Sequence, residues 1–133
     1  MTLTEFADYL AGRIRAEGPT SPAIVAGLHL TTAAWAAIDP ADIDTELRWG
    51  LAATAARAVL DTLDALPAHG IEVVDDPATN PDNEAAAAAA AVADLLTAIA
   101  DAFTHAAQRP SHRTAIWYSE AADELRDAAA ALT

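Results

Sequence analysis

Alanine occupies 38 of the 133 positions, more than the 33 held by Leu, Ile, Val, Phe, Trp, Tyr and Met together. It is the best helix former because it gives up no side-chain entropy, and its small side chain lets helix axes approach closely. Strands draw on β-branched and aromatic side chains, which are sparse here. The composition therefore predicts an all-α fold. It also means that the 53% hydrophobic content overstates the material available for a core. A chain of this length fits one domain. The expected architecture is a single domain over residues 1–133, a bundle of four to five helices around a long central one.

Punctuation residues divide the chain. Thr2 with Glu5 forms a Thr-x-x-Glu capping box for a first helix over about 3–17, which stops before Gly18-Pro19 and buries Leu3, Phe6, Leu10 and Ile14. Ser21-Pro22, a cap residue followed by a first-turn proline, opens a second helix over about 22–38 with Ile24, Leu28, Trp35 and Ile38 inward and Leu30 pointing away. Asp39-Pro40 repeats the signal for the central helix, about 40–66, roughly 40 Å long at 1.5 Å per residue. Residues 67–80, rich in Pro, Gly and Asn around Ile71-Glu72-Val73-Val74, read as a loop. A fourth helix restarts at Asn80-Pro81 and covers about 81–108, and a fifth follows Pro110 over about 112–132.

The central helix carries two apolar stripes at 100° per residue. Ile43, Leu47, Leu51 and Ala58 form one; Trp49, Ala52, Ala56, Val59, Leu60 and Leu63 form the other. Both should be covered, and self-association as a homodimer would help a thin core to cover them. The fourth and fifth helices are amphipathic, with Asp94, Thr97, Asp101 and His105 opposite the apolar face of one and Glu120, Asp123, Glu124 and Asp127 opposite that of the other.

Twenty acids against seven arginines and no lysine give a net charge of −13. The lysine-free, alanine-rich usage reads as the codon bias of a GC-rich bacterium or its phage. Acids at 39–46 and 82–84 lie at helix starts, where carboxylates complement the dipole by roughly 0.3–1 kcal/mol each. The stripe Glu120, Asp123, Glu124 and Asp127 has no such account, since like charges three and four apart oppose helix formation. With Ile116 projecting among these acids and Trp117 on the flank, this face is the candidate partner-binding site, suited to a basic protein. The same charge argues against direct nucleic-acid binding, because phosphates require an Arg/Lys surface.

Several chemistries are excluded or unsupported. No cysteine means no disulfide, thiolate nucleophile or thiolate metal site. There is no Gly-x-Ser-x-Gly, P-loop or dinucleotide-binding glycine pattern, and Asp101 with His105 reads as an ordinary surface pair. The expectation is a protein without catalytic residues, cofactor or metal. Glu17-Gly18-Pro19-Thr20-Ser21, followed by Ala23-x-x-x-Gly27-Leu28-x-Leu30-Thr31-Thr32, resembles the first helix and turn of helix-turn-helix regulators. The resemblance implies a following helix over Thr31 to Ile38. That stretch holds no Arg, Lys, Asn or Gln to address base edges, so the geometry is expected to serve packing.

The N-terminus lacks a basic flank and apolar run, and the most apolar window, Ala85 to Ala107, is interrupted by Asp94, Asp101 and His105. Neither a targeting signal nor a membrane span is expected, and the cytoplasm is the expected location. The functional expectation is a non-catalytic, acidic, self-associating interaction or adaptor protein. The alternative is an acidic DNA mimic or antagonist that occupies a basic nucleic-acid-binding protein. The third is a small-ligand-binding or enzymatic helical bundle.

Overall fold

The computed structural model describes residues 2–37, 43–63, 85–108 and 112–133. They form five helices, α1 Leu3–Glu17, α2 Ala23–Ala37, α3 Ile43–Leu63, α4 Ala85–Ala107 and α5 His112–Leu132. The all-α bundle read from composition is the fold. The Asp39-Pro40 start, the ends assigned to residues 38 and 64–66, the 67–80 loop and the Asn80-Pro81 start lie outside the described residues.

Helix α1 begins where the capping box places it, with the Glu5 N–H donating to Thr2 Oγ1 at 3.1 Å. Leu3, Ala7, Leu10, Ala11 and Ile14 are buried, and Phe6 packs half-buried at their edge. The helix ends at Gly18, whose φ of 80° and ψ of −159° are open in practice only to glycine, and whose N–H returns to the Ile14 carbonyl at 2.8 Å. Ser21, buried in the corner, accepts the Ala23 N–H on its Oγ at 3.2 Å and so caps α2.

Helix α2 runs without a break from Ala23 to Ala37, so Thr31 to Ala37 is part of one helix and not a second element after a turn. Residues 23–28, Leu30, Thr31 and Ala34 are all buried. The expectation that Leu30 points outward is corrected: α2 touches α1, α3 and α4 and has almost no solvent side. Trp35 is corrected in the other direction, being 47% exposed near the end of α2, where its ring lies across Gly50 of α3.

Each helix packs on two principal neighbours in the cyclic order α1, α2, α3, α5, α4, with α2 also touching α4 across the middle. One apolar cluster draws on all five. Among the described residues, 20 of the 38 buried apolar side chains are alanines. Since each buried methylene-sized group stabilises by about 0.8 kcal/mol and a buried Leu, Ile or Phe by about 1.5–3 kcal/mol, this core gains less per residue than a leucine-rich one. Its compensation is proximity. A Cβ added at Gly27 of α2 would lie 3.1 Å from methyl carbons of both Leu95 and Ile99 on α4.

Candidate interaction surfaces

Helix α3 sits between α2 and α5 and turns one of its two apolar stripes inward. Trp49, Ala52, Ala53, Ala55, Ala56, Val59, Leu60 and Leu63 are buried. Among the described residues none covers the other stripe: Ile43, Leu47 and Leu51 are 75%, 62% and 61% exposed, and Thr54 and Ala58 are exposed along the same line. Ile43, Leu47 and Leu51 are spaced by four residues, which makes each the neighbour of the next on one face of the helix. The half-exposed ring of Trp35, lying on Gly50, extends the apolar strip sideways onto α2. Isolated surface leucines are common, but a three-turn apolar strip joined to an indole is of the contiguous kind that marks interaction sites. Its charged border consists of Asp44 paired with Arg48 at 2.9 Å, Arg57 paired with Asp61 at 3.2 Å, and exposed Glu46.

The acidic strip on α5 is open to solvent. Glu120, Asp123, Glu124 and Asp127 are all exposed, opposite the buried Ala121, Ala122, Leu125, Ala128, Ala129 and Leu132. Arg126 at its border reaches across to α4, donating to Asp101 at 3.1 Å and Thr104 Oγ1 at 2.8 Å, and lies 4.0 Å from Asp123. Ile116 is 59% exposed on the same side. Trp117 is not an exposed flank residue. It packs half-buried beside Phe103 of α4, with ring centroids 5.4 Å apart, and beside Tyr118 at 5.0 Å, because α5 already begins at His112 and carries the ring inward. The structure thus leaves Ile116 with the acids and takes Trp117 into the α4–α5 contact.

A partly open groove of about 530 Å³ lies where the end of α1 meets α4, lined by Ile14, Arg15, Glu17, Gly18, Asp101 and His105 among others. Its strongest charges already serve the fold. Arg15 forms a two-pronged pair with Asp94 at 2.7 and 2.9 Å, which raises the guanidinium pKa and holds the Asp94 carboxyl below its ordinary value, and Asp101 is taken by Arg126. Among the described residues no three His, Asp or Glu side chains converge as metal ligands would. Residues 86–107 of α4 are long and apolar enough to cross a membrane by length and composition, and 61% of that window is buried inside the bundle.

No family model, curated protein or solved structure matches the chain. The four α5 acids stand out in the sequence by charge, and Ile116 and Trp117 as large apolar residues beside them. The α3 strip was visible as one of two stripes, but which of them the bundle leaves bare depends on the positions of α2 and α5, and no single-helix pattern contains that.

Proposed function

We propose that this chain is a non-catalytic cytoplasmic interaction protein that self-associates through the outer face of α3 and presents the acidic face of α5 to other proteins. The observation that carries it is the solvent-facing strip Ile43, Leu47 and Leu51, on a helix whose opposite face is fully packed. Burying a Leu or Ile side chain stabilises by about 1.5–3 kcal/mol, and a core more than half alanine has unusual need of such burial. Self-association couples stability to protein concentration by mass action. The native chain is therefore expected to melt at a higher temperature as its concentration rises. Replacing both Leu47 and Leu51 with Glu should remove that dependence while leaving the helical circular dichroism of the monomer intact. A native melting temperature independent of concentration, equal to that of the variant, would refute the proposal.

The exposure of all four α5 carboxylates on one face favours a second reading, capture of a basic nucleic-acid-binding protein in place of DNA. It predicts binding that weakens with salt and disappears when Glu120, Asp123, Glu124 and Asp127 are all changed to Lys. Binding that survives the charge reversal ends that reading.

A further inference from the structure

The geometry, which rests on the self-association proposed above, points to a second copy of this chain as the occupant of the α3 face, with the two α3 helices antiparallel and crossing near Leu51. Three features of the strip fit that arrangement. Its large side chains, Ile43 and Leu47, occupy the N-terminal half, and its small ones, Thr54 and Ala58, the C-terminal half. Antiparallel pairing about Leu51 sets the large half of each copy against the small half of the other. Parallel pairing would instead stack bulk on bulk at one end and leave a gap at the other, and unfilled space at a contact forfeits dispersion energy.

Charge selects the same orientation. At 100° per residue Glu46 and Arg57 fall on the same flank of the strip, five residues before Leu51 and six after it. A twofold axis through that point brings Glu46 of each copy opposite Arg57 of the other, twice over, and the Arg57 guanidinium, which within one copy pairs with Asp61 at 3.2 Å, would then be shared between Asp61 and the facing Glu46. In the parallel orientation the acidic first turns, with Asp44 and Glu46, would lie side by side. The helix dipoles also oppose one another favourably only when the helices are antiparallel. Trp35 lies on the same flank, over Gly50, and seals the rim of the paired helices. One pair of helices about 31 Å long makes a small interface, nearer the roughly 1,200 Å² lower end of specific interfaces than the large obligate class. Area alone does not fix affinity, and association of about micromolar strength is the expectation for the proposed dimer.

The test uses the full chain and exploits its lack of cysteine, so that an introduced thiol is unique. Under mild oxidation Leu51→Cys should form a covalent dimer. Ile43→Cys alone should not, because the two copies of position 43 would stand roughly 24 Å apart, far beyond disulfide reach. An equimolar mixture of Ile43→Cys and Ala58→Cys chains should cross-link. Independently, Glu46→Arg should weaken the dimer by roughly 3- to 10-fold, and the double change Glu46→Arg with Arg57→Glu should restore it. Efficient self-cross-linking of Ile43→Cys would establish parallel pairing and overturn the geometry while leaving self-association standing. A dimer that no α3 thiol captures would place the contact on another face, with the same consequence. A native chain that stays monomeric at every concentration overturns both, and assigns the cover of the strip to this chain's own remaining residues or to a different protein.

Discussion

Gly18 and Gly12 lie six residues apart and illustrate how backbone conformation decides the sign of a substitution. Neither would bring an added Cβ within 4 Å of another group, so packing does not enter. Gly18 holds φ at 80° with extended ψ, a region in which other residues are strained by about 1–3 kcal/mol, whereas Gly12 is an exposed helical position where alanine gains up to about 1 kcal/mol. Thermal unfolding should therefore show Gly18→Ala lowering the melting temperature and Gly12→Ala raising it. A Gly18→Ala protein as stable as the native one would contradict the corner geometry. The Arg15–Asp94 pair makes a prediction in pH. Because the folded carboxyl titrates below its ordinary value of about 3.9, the stability it contributes is complete above that value and is lost as pH falls through the lower folded pKa. Both side chains are about half exposed, 49% and 48%, so solvent screening keeps the contribution within about 1 kcal/mol. Denaturant titration should find Asp94→Asn less stable than the native chain at pH 7, with the difference closing as the solution is taken below about pH 4. A difference that persists at acid pH would show that the Asn change acts by some route other than the ion pair.

Between elements, the close approach of α2 to α4 is what makes an alanine-rich core cohesive. Leu95 and Ile99 fill the space that a side chain at Gly27 would need, so Gly27→Leu should cost about 1–3 kcal/mol through overpacking despite leucine's better helix propensity. Unchanged thermal stability would mean that the two helices part without penalty. This contact also marks how far the sequence could be read. The helical class, the Thr2 cap, the Gly18 end and the inward faces of α1, α4 and α5 all follow from local pattern, because each of those helices has a polar side that solvent must claim. Helix α2 has no such side, so the periodicity of Ile24, Leu28 and Trp35 could not reveal that Leu30 is buried and Trp35 half-exposed. The placement of the candidate site shows the same limit. The acidic strip of α5 was legible because charges are polar wherever the bundle forms, whereas the bare strip of α3 and the inward turn of Trp117 depend on which neighbours arrive.

For the whole molecule, the balance between a thin core and a large charge is the governing fact. A net charge of −13 makes such chains repel one another in solution, and the proposed interface between copies would have to overcome that locally, through the facing Glu46 and Arg57 flanks of the apolar strip. Sedimentation equilibrium across a concentration series is the most direct test of the central claim that α3 is a self-association surface. The native chain should rise from 13.7 kDa toward twice that mass as concentration passes through the micromolar range, and Leu47→Asp should remain at 13.7 kDa throughout. A native chain that stays at 13.7 kDa up to roughly 1 mM, the weak limit for a specific contact, would contradict it.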